Sequence, residues 1–468
     1  MNKTFKVIFS KARNALMVVN EATGSVQAKG TKTVIATAVT AALMTSGAAV
    51  AATVDNSAVQ IGGDSGYIIN EAAGDTATVE ANEDGSLKIT VDSFDGTGYG
   101  AANNNIGNVV SKIIIADGSS FTNNSTTGSA GALTIFQAGK HESGSTDNLI
   151  NGSTFKGNTA VRKGGAVATL LESTSSGIEG STTITNSKFE SNKVTGAAGN
   201  GGAVYGEHTA YTVKNSKFET NEAGQNGGAI YGEIVNLTIE DSTFDGNKAG
   251  KNGGAVFSWS DSNSGSVEEI FSISGSTFTG NEAAAKGGAV AWLQMESKEI
   301  GKQFLDVQGS TFDGNKAGTT GGAIQAEGDL AVKASTFTDN ESTGHGGAIF
   351  VKRSLTVDDS TFSNNTSKKA GGAITFDNYG FRDASHGYVS WTEEDGLTRT
   401  ITNSEFVKNH ADDRGGAIAV LAERDFYAVP TTFDNVSFVE NSSEKTGGAI
   451  HTEDNISVTH ATFTGNTA

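Results

Sequence analysis

The sequence predicts an all-β solenoid, a parallel β-helix of about twelve coils with three short strands each, and three observations carry that prediction. A sixteen-residue frame, "STFDGNKAGKNGGAVF" at Ser242, returns as "STFTGNEAAAKGGAVA" at Ser276, "STFDGNKAGTTGGAIQ" at Ser310, "STFTDNESTGHGGAIF" at Ser335 and "STFSNNTSKKAGGAIT" at Ser360. Apolar residues within each copy form segments of a few residues that alternate with period two, too short for a helical face. Glycine is abundant, 61 of 468 residues, against one proline (Pro430) and no cysteine. Internal repetition at this period means stacked coils, each burying its apolar side only against its neighbours.

Taken from the N-terminus, the first segment is an export signal. "KGTKTVIATAVTAALMTSGAAVAA" (29–52) runs from basic residues through a weakly apolar stretch to small residues, and places signal-peptidase cleavage at Ala51 or Ala52. The apolar stretch from Val34 to Met44 is too short to remain as a membrane span. Residues 1–52 hold six basic residues and one acid; 27 basic and 51 acidic residues remain beyond them, near −24. A charge of that sign argues against nucleic acid and anionic membrane surfaces as partners. Residues 53–105 are polar, Gly-rich and irregular, as expected of an N-terminal cap.

The coils then occupy 106–468. Phe is followed three residues later by Asn twelve times: Phe121/Asn124, Phe155/Asn158, Phe189/Asn192, Phe218/Asn221, Phe244/Asn247, Phe278/Asn281, Phe312/Asn315, Phe337/Asn340, Phe362/Asn365, Phe406/Asn409, Phe438/Asn441 and Phe463/Asn466. A Gly-Gly-Ala-Ile/Val run follows ten of them, the central five at Gly253-Gly254, Gly287-Gly288, Gly321-Gly322, Gly346-Gly347 and Gly371-Gly372. The shortest spacing is 25 residues, as from Phe312 to Phe337.

Each unit has three apolar segments: an alternating one before Phe (Leu237/Ile239, Leu330/Val332, Leu355/Val357), Ser-x-Phe, and Gly-Gly-Ala-Ile/Val. Strands that close together within one copy cannot pair with one another and leave every copy identical, so they pair with their equivalents one coil away, about 4.8 Å along the axis. Like then stacks on like. Phe sits over Phe in the lumen, and Asn forms a ladder at a corner, its amide donating to the next Asn. The glycines serve a tight corner where φ is positive or the backbone is crowded. The five residues between Asn and Gly-Gly ("KAGKN", "EAAAK", "ESTGH") read as a solvent-facing turn.

Two stretches resemble known families. "MNKTFKVIFSKARNALMVVNEATGSVQAKG" resembles the extended signal peptide region of Gram-negative type V secreted proteins, the autotransporters and their relatives. That implies Sec export to the periplasm and passage through an outer-membrane pore, for which a cysteine-free chain is suited. Phe-x-x-Asn and Gly-Gly-Ala-Ile/Val resemble the chlamydial polymorphic outer-membrane protein repeat. This second resemblance spans Phe121 to Ala468 and implies a right-handed parallel β-helix displayed on the cell surface, an adhesin whose two motifs are themselves credited with adhesion. The residues, read without the resemblance, are coil-formers. The chain ends mid-repeat at "FTGNTA" with no ten-residue alternating segments of a translocator barrel, so a barrel is expected from further sequence.

The remaining candidates weigh a binding module against an enzyme. Long repeats carry their extra residues between Gly-Gly-Ala-Ile/Val and the next Phe, at 257–271, 291–304, 375–399 and 419–432. Trp259, Trp292, Tyr379, Phe381, Tyr388 and Trp391 fall there and are the candidate receptor contacts, with flank-covering as the alternative. The expected partner is a cell-surface protein or glycan, bound by a monomeric passenger without a cofactor. The competing class is a carbohydrate-active β-helix enzyme, a polysaccharide lyase or hydrolase. Gly344-His345-Gly346 and Asp358-Asp359 resemble polygalacturonase motifs, but in reversed order and at positions the repeat itself explains. His410 with Asp412 and Asp413 is a conceivable metal cluster, but the three read more readily as a hydrated turn.

Overall fold

The computed structural model describes residues 117–137, 147–171, 180–233, 235–260, 270–294, 304–377, 396–422 and 429–468, and outside these ranges the backbone of the strands named below. The coils from Phe155 to Phe438 each contain four short strands. In the coil of Phe244 these are Asn236–Glu240, Thr243–Asp245, Lys248–Ala249 and Val256–Ser260. Each pairs in parallel with the same strand of the next coil, Leu237 opposite Phe271, Phe244 opposite Phe278, Ala249 opposite Ala283 and Val256 opposite Val290. The pattern continues through sheets of 10 and 11 strands and a larger one of 27. The architecture is a right-handed parallel β-helix, as the repeat frame predicts, and among the described residues it contains no helix.

The fourth strand corrects the three-strand expectation. It takes the first two residues after Asn, inside the spacer read as a solvent-facing turn, and its second side chain points into the lumen. Ala223, Ala249, Ala283, Ala317 and Ser342 are all buried. Only a small residue fits there, and the sequence does hold Ala, Val or Ser at that offset in every copy from Ala160 to Ser443. The outward residue of the same strand alternates in charge along six coils: Lys193, Glu222, Lys248, Glu282, Lys316 and Glu341. Ion pairs close at 2.8 Å (Lys193–Glu222), 3.0 Å (Lys248–Glu282) and 3.5 Å (Lys316–Glu341).

The core is a continuous column. Phe rings from Phe121 to Phe463 stack with centroids 4.7–5.2 Å apart and planes within 15° of parallel, the interval set by the strand spacing. Burying each ring contributes roughly 2–3 kcal/mol before chain entropy is set against it. Val and Ile of the Gly-Gly strand and the alternating Leu/Ile/Val residues complete the lumen wall.

Two glycines of one pair do different jobs. Gly253 has φ +63°, the left-handed region, whereas Gly254 has no such φ but lies so close to the next coil that a Cβ would strike the Gly288 carbonyl oxygen. A further left-handed corner precedes each Ser-x-Phe, at Asp241, Ala334, Asp359 and Asn403 among others. There the serine supplies what the corner lacks. The Ser242 N–H donates to Ser276 Oγ at 3.1 Å, and the Ser276 hydroxyl donates to the Ser274 carbonyl at 2.8 Å.

At the N-terminal side the coil begins earlier than expected. Leu87–Asp95 pairs in parallel with the first described coil, Leu87 opposite Ile113 and Phe94 opposite Phe121. A strand continuing the Phe register therefore lies inside the 53–105 segment read as a cap. Thr76–Ala81 and Ala51–Asp55 add antiparallel to it. The expected cleavage positions Ala51 and Ala52 open the Ala51–Asp55 strand, and apart from the Phe5–Ser10/Ala15–Asn20 pair the rest of the export signal lies outside the described residues.

Candidate binding face and insertion corners

The repeat motifs are consumed by the coil. Phe244, Phe278, Phe312, Phe337 and Phe362 are 0% exposed, and so are Asn247, Asn281, Asn315, Asn340 and Asn365. Each Asn is fully satisfied. The Asn247 amide donates to Asn281 Oδ1 at 2.9 Å and to the Phe218 carbonyl at 3.0 Å, and its backbone N–H shares that Oδ1 at 3.0 Å. The ladder runs unbroken from Asn124 to Asn466. These side chains are closed to a partner while the coil is folded.

The Gly-Gly strand differs, because both of its faces are buried. Val256 and its equivalents face the lumen, so the residue after each faces outward. That outward column reads Ala168, Tyr205, Tyr231, Phe257, Ala291, Gln325, Phe350, Thr375 and Ala419, and all nine are buried. Tyr205 stacks on Tyr231 at 5.0 Å and Tyr231 on Phe257 at 5.1 Å. The Tyr205 hydroxyl donates to Glu233 Oε2 at 2.9 Å, and burial pushes the pKa of both tyrosines far above the usual phenol range. Lys163 Nζ sits 4.4 Å over the Tyr205 ring while pairing with Glu207 at 2.9 Å. Sequence reasoning missed this second column. Its signal is the aromatic residue directly after Ile/Val in three successive copies, "AVY", "AIY" and "AVF".

Of the candidate receptor contacts, Trp259 and Trp292 turn out to be strand residues. Val256–Ser260 and Val290–Gln294 extend the Gly-Gly sheet into the expected insertions. Trp292 points inward and is 2% exposed, its ring filling the space where a Cβ on Gly328 would lie. It is a lumen residue, not a contact. Trp259 is half-buried and packs against the Tyr205–Tyr231–Phe257 column. Phe381–Asp383 and Gly387–Val389 form an antiparallel pair within the longest insertion, Arg382 opposite Tyr388. The side chains of Phe381 and Tyr388, and Tyr379 and Trp391 altogether, lie outside the described residues.

The polar candidates belong to coil corners. Asp359 holds a left-handed corner, and Asp358 accepts from Asn403 Nδ2 at 2.8 Å and the Thr402 hydroxyl at 2.9 Å, which lower its pKa. His345 packs its ring 6.4 Å from that of Phe350, and burial, with Lys369 and Arg414 nearby, lowers its pKa. His410 meets Ser442 Oγ at 2.8 Å and Asp412 Oδ1 at 3.2 Å. The third member of the group is Glu444 of the next coil. Asp413, expected in that cluster, turns instead to Arg414 at 3.1 Å and Lys445 at 2.9 Å.

Known families match at both the signal and the coils. Residues 1–50 match the Extended Signal Peptide of Type V secretion system, and residues 241–258, 309–327, 334–352, 359–377 and 435–453 match the Chlamydia polymorphic membrane protein repeat. No curated protein and no solved structure matches the chain. A type V secretion signal ahead of a coil of such repeats matches an autotransporter passenger. It is exported through the Sec and outer-membrane translocation route to the surface or extracellular space of a Gram-negative bacterium.

Proposed function

We propose that this passenger is an adhesin, binding a protein or glycan on a host or neighbouring cell through the corner where the Gly-Gly strand ends and the insertions begin. One observation carries the reading. The motif residues are spent inside the coil, whereas Tyr231, Phe257 and half-buried Trp259, aromatic residues the coil does not require, line the Gly-Gly strand, and the Phe381–Val389 hairpin follows a later copy of that strand, Ile374–Asp377. Insertions on one side of a solenoid are where such proteins build contact surfaces. Tyr379, Phe381, Tyr388 and Trp391 are the proposed contact residues, with Trp259 beside them. The acidic passenger favours a partner that is not itself strongly anionic. The antiparallel additions before Leu87 support a cap for the first coil within residues 53–105, and a monomeric rod completes the proposal.

Deleting residues 378–395 tests the reading. The expected result is reduced binding to cells with an unchanged strand-rich circular dichroism spectrum and melting temperature. Binding equal to that of the parent would move the contact elsewhere. Release of reducing sugar ends from a glycan panel would replace the adhesin by an enzyme.

A further inference from the structure

The alternating strand sends one side chain into the lumen seven residues before each Phe. Along the axis these are Leu237, Phe271, Leu305, Leu330 and Leu355, and then Arg399 and Thr431. After five apolar coils the wall turns polar for two, as it also is at Asn148 and Thr182 nearer the N-terminus. Arg399 is 1% exposed and Thr431 0%. Among the described residues, none offers a hydrogen-bond partner to Arg399 Nε, Nη1 and Nη2 or to Thr431 Oγ1. The guanidinium lies face-on to Phe376, 5.0 Å from the ring centroid, which attracts its charge but offers no acceptor for its in-plane N–H groups.

Two carboxylates, Asp454 and Asp377, favour the charged guanidinium, yet burial outweighs them and brings its pKa down to about 10. Asp454 is engaged, accepting from the Val429 N–H at 2.9 Å and the Asn455 N–H at 2.7 Å. A buried guanidinium with unmet donors is costly, and native interiors almost always supply an acceptor. Thr431, shorter than the leucine it replaces, adds a hydroxyl donor facing the same interior one coil away.

We propose that Arg399 and Thr431 form an internal binding site for a small inorganic anion of the halide class. It lies under the corner that carries the longest insertion, and the ion supplies the acceptor that Arg399 and Thr431 share. Bound only in the folded coil, such an ion stabilises it in proportion to the logarithm of its concentration, with the slope of a single site.

Crystals of the full chain soaked in sodium bromide should show one anomalous peak within hydrogen-bonding distance of the Arg399 guanidinium and Thr431 Oγ1. Thermal unfolding at constant ionic strength should rise as chloride replaces gluconate, and the rise should vanish in Arg399→Leu. That variant restores the residue found at Leu330 and Leu355, so it fits the column; Thr431→Val should weaken the response several-fold. Ordered water in place of the bromide peak would overturn the proposal. An equal chloride response in the parent and Arg399→Leu would do so as well.

Discussion

The Asn ladder and the outward column of the Gly-Gly strand run through the same coils, yet one never changes and the other changes at nearly every step. Asn247, Asn281, Asn315, Asn340 and Asn365 occupy identical places, while Tyr231, Phe257, Ala291, Gln325 and Phe350 share only burial. The reason lies in what each residue touches. A ladder Asn is bonded to the Asn before it and the Asn after it, so one substitution strands two neighbours. Outward residues find supports of different kinds: Phe350 packs against His345 of its own coil and Gln325 lies with Thr320, their side-chain oxygens 2.6 Å apart, whereas Tyr231 stacks on Tyr205 and Phe257 of the coils on either side. Uniform columns hold the rod together, and a column whose members each find their own support is free to differ.

Breaking the uniform columns should have the largest effect. Phe312→Ala, at a 0% exposed ring between Phe278 and Phe337, should cost about 3–5 kcal/mol by denaturant unfolding. Asn315→Ala should cost roughly 1–3 kcal/mol, since it leaves the amide of Asn281 without its acceptor. Thr319→Ala, on an exposed spacer position four residues on, should stay within about 0.5 kcal/mol. Equal melting shifts for Asn315→Ala and Thr319→Ala would mean that the ladder does not stabilise the coil.

The two-residue strand after Asn sharpens the contrast within neighbouring positions. Ala249→Glu buries an unpaired carboxylate in the lumen and should cost about 3–5 kcal/mol. Lys248→Glu reverses one charge on the outside and sets like charges against Glu222 and Glu282, which should cost under about 1 kcal/mol and less in high salt. Similar losses for the two would mean that the spacer is a surface turn after all.

The smallest expected effect concerns pH. The folded pKa of His345 is depressed below its ordinary value of 6.5, so the unfolded chain binds its proton first. Its contribution to stability is complete above pH 6.5 and is lost as pH falls through the folded pKa. Lys369, Arg414 and Asp413 are the charges that face it. His345→Asn, the residue found at Asn226 and Asn252, should flatten the melting-temperature profile below pH 6.5 and leave it unchanged above. An unaltered profile would place His345 in water.

Much of the coil could be read from periodicity, and the exceptions have particular causes. The lumen Phe, the Asn ladder and the crowded Gly254 followed from the repeat. The serine corner did not, although Ser stands two residues before Phe in ten of the twelve copies, because its role depends on a left-handed residue before it that is Gly, Asn, Asp or Ala by turns. The strand at Lys248–Ala249 was hidden by its outward residues, which vary as a turn would. The distance of Trp292 beyond Gly-Gly suggests a loop aromatic, in contact with a partner or covering the flank; the strand in fact continues to Gln294 and turns the ring inward.

In a solenoid the contact partner of a residue is the same position one repeat away, so a period visible in the chain is already a list of tertiary contacts. Strand direction, register, the Phe stack and the ladder are therefore written in the sequence. The hydrogen bond that holds the Tyr205 hydroxyl on Glu233 and the sealed position of Arg399 over Phe376 are not, because each depends on side chains brought in from unlike positions. Those contacts exist only once the corner has closed, and no spacing along the chain encodes them.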